Sequence, residues 1–168
     1  LGEMNVPPPY WAFAWAGGQA LARHLLDTPE LVAGARVVDL GTGSGALLLA
    51  ALSVFQDAEG AAIDASRDAV AVAQANAERL GFGDRVRFLH RSWRDAGWAL
   101  DLGRFNLILC NPPYVEADAE LAPQVHAHEP ASALFAGADG LDDYKLLIPQ
   151  IPVLLTPGSV AIFEIGRG

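Results

Sequence analysis

One junction constrains this chain more than any other stretch. A short apolar run, Arg36-Val37-Val38-Asp39-Leu40, breaks into Gly41-Thr42-Gly43-Ser44-Gly45 and resumes as an Ala/Leu-rich segment over 46–55. Three glycines at alternate positions let the backbone turn tightly and approach a ligand with no Cβ in the way. Buried strand, glycine turn and helix in that order make a strand–loop–helix unit, and such units build parallel sheets. The chain repeats the alternation. Gly60-Ala61-Ala62-Ile63-Asp64 is a second apolar run ending in an acid, and Ser66 can cap a helix over 67–80 that Gly81 closes. Residues 86–89 and 105–110 read as third and fourth strands, and 159–165 as a fifth. Upstream, Leu21, Leu25 and Leu26 have helical spacing that Pro29 stops. Four prolines between 111 and 140 predict an irregular loop, and Pro149 and Pro152 predict a kink in a helix over 141–155.

Strands that are near-continuous apolar runs are covered on both faces. The expected fold is therefore α/β: a Rossmann-like, doubly wound, mostly parallel sheet in three layers. The 168 residues read as one domain, with a helical segment over 1–35 and a Rossmann-like core over 36–168. The sequence stops after the fifth strand, where this fold normally adds two more, so the expectation is either a sheet truncated after strand five or an edge strand left to pair with another chain. Ligands in such sheets bind at the carboxyl ends of the strands.

Charge and cysteine content narrow the partners. A net charge of −9 repels the backbone of DNA or RNA, making a nucleic-acid partner unfavourable. The lone cysteine, Cys110, forms no internal disulfide and suits a reducing cytoplasm. The opening stretch carries three prolines, Glu3 and no basic residue, unlike a secretory signal, and no apolar run is long enough to cross a membrane.

Asp64 lies 23 positions beyond Gly41, where an acid meets ribose hydroxyls in nucleotide-binding α/β folds. The loop is GxGxG rather than the GxGxxG that seats a pyrophosphate, and Asp39 would repel phosphate. Both features favour S-adenosyl-L-methionine, an adenosine ligand without phosphates whose amino group an acid attracts. Without a ligand the same residues make a tight turn with a capping acid. Asn111-Pro112-Pro113-Tyr114 follows the fourth strand directly. Two prolines remove two N–H donors, so the Asn111 side-chain oxygen and the Pro112 carbonyl can accept both hydrogens of one NH2 group. Tyr114 offers a flat face to a planar substrate. Those three are the candidate catalytic residues. No cluster with metal-ligand spacing is legible.

Residues 38–45 together with Asn111-Pro112-Pro113-Tyr114 resemble class I S-adenosylmethionine-dependent methyltransferases acting on planar nitrogen. More narrowly, 36–168 resemble the release-factor glutamine methyltransferases, through His128-Glu129-Pro130, Ala133-Leu134-Phe135, Gly137-Ala138-Asp139-Gly140-Leu141-Asp142 and Phe163-Glu164-Ile165-Gly166. The resemblance implies methylation of a glutamine amide in a protein such as a peptide-chain release factor. It implies a cofactor site of Asp39, Gly41, Thr42, Gly43, Gly45, Asp64, Ala65, Ser92, Trp93 and Asn111. Ser92 stands where the family has an acid beside Trp93, and the family's helical substrate domain has no counterpart. Instead 8–18 are similar to the start of lysine methyltransferases acting on electron-transfer flavoprotein. Lysine or adenine methylation, and a cofactor-binding domain without activity, stay open as alternatives. Cys110, Trp11 and Trp15 read as core, although the resemblance places the Trp11–Trp15 segment beside the cofactor; His126 and His128 read as surface or lid; Glu129 and Glu164 can orient substrate or loop, Glu164 at a strand end reading more as structural.

Overall fold

Burial on both faces of the central strands decides the architecture. In this computed structural model, which describes residues 16–119 and 131–165, β1 (Arg36–Leu40), β2 (Glu59–Asp64), β3 (Val86–His90), β4 (Phe105–Cys110) and β5 (Leu155–Phe163) form one parallel sheet. Its order is β3-β2-β1-β4-β5. Val37, Leu107 and Leu109 face one side, against Leu25 of α1 (Ala16–Asp27), Leu48 and Leu52 of α2 (Ala46–Val54) and Ala77 of α3 (Arg67–Leu80). Val38, Leu40, Ile63 and Ile108 face the other, against Trp98, Leu102, Leu147, Ile151 and Leu154. Consecutive strand residues thus feed two cores, and each fully buried leucine contributes about 2 kcal/mol. The three-layer α/β fold expected from the sequence is the fold observed.

Local chemistry accounts for the element ends. Ser66 caps α3, its hydroxyl accepting the Ala69 N–H at 3.2 Å, and Gly81 closes that helix at φ +77°. α2 starts at Gly45, which has φ +80° and no side-chain cap. Arg85 donates to the carbonyls of Leu52, Phe55 and Ala58 at 2.6–3.0 Å, satisfying the end of α2 and the entry to β2.

Two regions differ from expectation. The segment over 141–155 is a short α-helix, α5 (Asp142–Leu147), followed by a 3₁₀ stretch (Ile148–Leu154). Pro152 has no N–H for an α-helical bond, and the tighter winding removes the need for a single kink. β5 begins before residue 159, running through Pro157 and Gly158 with a register shift between Phe105 and Leu107. It is an edge strand, where a proline whose N–H would face outward costs no ladder bond. A one-turn helix, α4 (Ala131–Leu134), precedes α5. Trp11, Trp15, His126, His128 and Glu129 lie outside the described residues.

The strand order reverses beside β1, so β1 and β4 are neighbours, paired Leu40 with Cys110 at their carboxyl ends. That places the glycine loop and Asn111 side by side.

Candidate active site

The glycine loop is built as its composition requires. Gly41, Gly43 and Gly45 hold φ of +75°, +55° and +80°. The N–H groups of Gly41 and Thr42 donate to the Ile63 carbonyl at 2.8 and 2.9 Å, folding the loop back over β2. A Cβ on Gly41 would lie 3.3 Å from Cη2 of Trp93 and 3.8 Å from the Asn111 carbonyl oxygen. Gly41 is therefore the meeting point of the loop, the segment after β3 and the segment after β4.

Two acids organise this loop. Asp39 is buried beneath it, and the Thr42 hydroxyl donates to its Oδ2 at 2.8 Å. Burial pushes its carboxyl up to about 6, the Thr42 hydroxyl opposing and the nearby Asp64 charge adding. Asp64 accepts the Gly43 N–H at Oδ2 (2.9 Å) and the Ser66 N–H at Oδ1 (2.8 Å). It is half-buried, so its remaining lone pairs stay available to a ligand. Ala65, exposed beside it, has its carbonyl 2.9 Å from Nε2 of His90.

After β3, Ser92 makes only a local turn, its hydroxyl accepting the Arg94 N–H at 3.2 Å. Trp93 is held by a partner the sequence did not reveal. Its indole N–H donates to Oδ1 of the fully buried Asp143 at 2.7 Å, and the Arg94 guanidinium bonds both oxygens of that carboxylate at 2.8 and 2.7 Å.

Asn111, Pro112 and Tyr114 follow β4 as predicted, with Pro112 buried. A brace supports them. Val115 donates to the Leu134 carbonyl at 2.8 Å and accepts the Ala136 N–H at 2.9 Å, a parallel bridge with Phe135. Gly140, at φ +67°, lies so close under Tyr114 that a Cβ would sit 2.4 Å from the Tyr114 carbonyl oxygen. The Gly137–Gly140 stretch is thus a seat for the Asn-Pro-Pro-Tyr loop. Glu164 accepts the Tyr114 hydroxyl at Oε1 (3.3 Å), and burial raises its carboxyl above the ordinary range. Tyr144 donates to the Glu164 carbonyl at 2.7 Å. Cys110 is fully buried, its thiol pushed up by burial, consistent with a core role. Among the described residues no group of His, Cys, Asp or Glu is placed to hold a metal ion.

The fold is a Rossmann-like α/β domain whose glycine loop and Asn-Pro-Pro-Tyr segment meet at the carboxyl ends of β1 and β4. Residues 13–134 match the family described as "Methyltransferase small domain", and the chain belongs to this family. It is 42% identical over 170 aligned residues to release factor glutamine methyltransferase of Rhodospirillum rubrum, covering 95% of this chain and 51% of that protein. It is 40% identical over 146 residues to ribosomal protein uL3 glutamine methyltransferase of Neisseria meningitidis serogroup A, covering 86% of this chain and 46% of that protein. The chain spans about half the length of these curated relatives. A solved S-adenosylmethionine-dependent methyltransferase of Thiobacillus denitrificans, in complex with S-adenosyl-L-homocysteine, superposes with TM-score 0.56 at 25% identity, over 90% of this chain and 48% of that one. S-adenosyl-L-methionine is the cofactor of the family, and the residues present fit it. Residues 39–45 carry no Lys or Arg to hold phosphate, and two acids lie near the carboxyl ends of β1 and β2, Asp64 with lone pairs left over for a ligand.

Proposed function

We propose that this chain is the cofactor-binding, catalytic part of an S-adenosylmethionine-dependent enzyme that methylates the side-chain amide nitrogen of a glutamine in a protein. The observation that supports this reading is the Asn111 carbonyl oxygen 3.8 Å from where a Cβ on Gly41 would lie, so that Asn-Pro-Pro-Tyr as acceptor loop would adjoin the glycine loop as cofactor loop. The relatives named for glutamine methylation of a release factor and of ribosomal protein uL3 support it, and both name protein substrates. Acidic net charge agrees with a protein rather than a nucleic-acid substrate. The buried thiol fits a reducing cytoplasm.

When bound, the cofactor supplies an electrophilic methyl group on a sulfonium. Asp64 and the glycine loop would hold its adenosine end, Asp64 through the ribose hydroxyls, and Ser92 and Trp93 would bind the base. The Asn111 side-chain oxygen and the Pro112 carbonyl would accept the two amide hydrogens and so fix the orientation of the nitrogen beside the glycine loop. Two acceptors drawing on one NH2 also raise electron density on a nitrogen otherwise delocalised into its carbonyl. With its two hydrogens so held, the amide nitrogen would take the methyl group that the cofactor supplies and give up one proton to water. Tyr114 covers the planar amide. Catalysis is positioning with charge complementarity.

The test is transfer of labelled methyl groups to a release factor and to ribosomal protein uL3, followed by mapping of the modified residue. Glutamine labelling that Asn111→Ala lowers at least 100-fold supports the reading. Label on lysine or on adenine overturns it, and binding of cofactor without transfer to any protein leaves a binding domain.

A further inference from the structure

The acceptor geometry just proposed has one weak point, because an asparagine side chain presents an oxygen or an NH2 according to which way its amide is turned. Turned wrongly, Asn111 would offer a donor to the substrate NH2 and repel it. Within the described residues no hydrogen bond holds the Asn111 amide. Close by stands a matching gap. Oε2 of Glu164 is buried and has no hydrogen-bond partner, while Oε1 takes the Tyr114 hydroxyl at 3.3 Å. Glu164 is not a loose side chain. Its N–H donates to the Cys110 carbonyl at 2.9 Å and its carbonyl accepts the Tyr144 hydroxyl at 2.7 Å. The parallel register pairs Cys110 with Phe163, so the next step along both chains sets Asn111 opposite Glu164.

We infer that Glu164 is a positioning residue for the acceptor loop: Oε2 accepts the Asn111 Nδ2–H, which turns Asn111 Oδ1 toward the substrate amide, while Oε1 fixes the Tyr114 ring. A carboxylate has only acceptors, so it can bind Asn111 through its NH2 and in no other way. One carboxylate then sets both polar side chains of the Asn-Pro-Pro-Tyr motif. A buried acceptor left without a donor is costly, and this pairing removes that cost on binding of substrate or before it. The inference rests on the glutamine reading only in taking Asn111 Oδ1 as the substrate acceptor.

Glu164→Gln is the informative substitution. Glutamine keeps one oxygen but sets an NH2 against either Tyr114 or Asn111. The expected result in the full protein is a kcat on a glutamine-bearing protein lowered 10- to 100-fold, with cofactor affinity within twofold of the parent. Glu164→Asp, which keeps the carboxylate, is expected to recover part of the loss. Combined with Asn111→Ala, Glu164→Gln should add less than threefold. A readout independent of any substrate is the Asn111 side-chain NH2 resonance pair, assigned by its absence in Asn111→Ala. It is expected to be shifted and slow in exchange in the parent, and to become solvent-like in Glu164→Leu, which has no acceptor at all. Parent-like NH2 resonances in Glu164→Leu overturn the inference even if the protein is an active glutamine methyltransferase. Loss of those contacts with no glutamine methylation by the parent sustains it while the functional reading falls.

Discussion

Asp39 is the residue at which stability and ligand binding are expected to pull in opposite directions. Its carboxyl is raised to about 6 chiefly by burial, so the folded chain holds that proton more tightly than the unfolded chain does. The stabilisation is fully present below the ordinary carboxylate pKa and is lost as pH rises through about 6. Relative to an ordinary aspartate the cost at neutral pH is on the order of 3 kcal/mol. Asp39→Asn removes the ionisation, so its melting temperature should match the parent near pH 4 and exceed it above pH 7 in the absence of cofactor. The same variant should bind S-adenosylmethionine at least tenfold more weakly, since the ligand then loses an anion beside its charged groups. Parallel thermal scans from pH 4 to 8 check the first expectation and titration calorimetry the second. A pH-independent gap between the two proteins contradicts the burial argument.

Two elements carry the site, and they were not equally legible. β1 and β4 were readable because strands buried on both faces are continuous apolar runs, and α3 because Ser66 and Gly81 mark its ends. The glycine loop and Asn-Pro-Pro-Tyr follow those strands directly, so their place was legible too. The supports were not. Tyr114 meets Glu164, and Trp93 meets Asp143, each across 50 positions of sequence, and no periodicity encodes such a pairing. α5 joins them, since its Asp143 holds Trp93 and its Tyr144 holds the Glu164 backbone. Asp143→Ala strips the acceptor from the indole N–H and from Arg94, whose half-exposed side chain finds water instead. The expected loss is about 2 kcal/mol of stability with a cofactor affinity about tenfold lower, read by denaturant unfolding and calorimetry. Gly140→Ala should act on the other side. Its positive φ and the clash with the Tyr114 carbonyl displace the acceptor loop, at about 1–3 kcal/mol of local strain. Methyl transfer should fall at least tenfold with cofactor affinity nearly unchanged. Equal losses in both would mean that Gly140 supports the whole domain rather than that loop.

At the scale of the molecule, the carboxyl edge of the sheet gathers loops from the ends of β1, β2, β3 and β4, and the cofactor is expected to touch all four. Binding should therefore stabilise the domain as a unit rather than order one loop. At a hundredfold excess over its dissociation constant a ligand adds about 2.7 kcal/mol, and for a chain of this size each kcal/mol raises the melting temperature by about 2–4 °C. S-adenosylmethionine should thus raise the melting temperature by about 5–11 °C. Asp64 ties the first two loops through Gly43 and Ser66, so Asp64→Asn, which can accept only one of those N–H groups without presenting its NH2 to the other, should lower both the unliganded melting temperature and the shift. Arg104→Ala, at the opposite end of the sheet where Arg104 donates to the Leu155 carbonyl, should lower the first and spare the second. Hydrogen exchange gives the spatial form of the same expectation: cofactor should slow exchange of the Gly41, Thr42 and Gly43 amides far more than those along the outer half of β5. Uniform protection, or an unchanged melting temperature at millimolar cofactor, would mean that the four loops do not share one ligand.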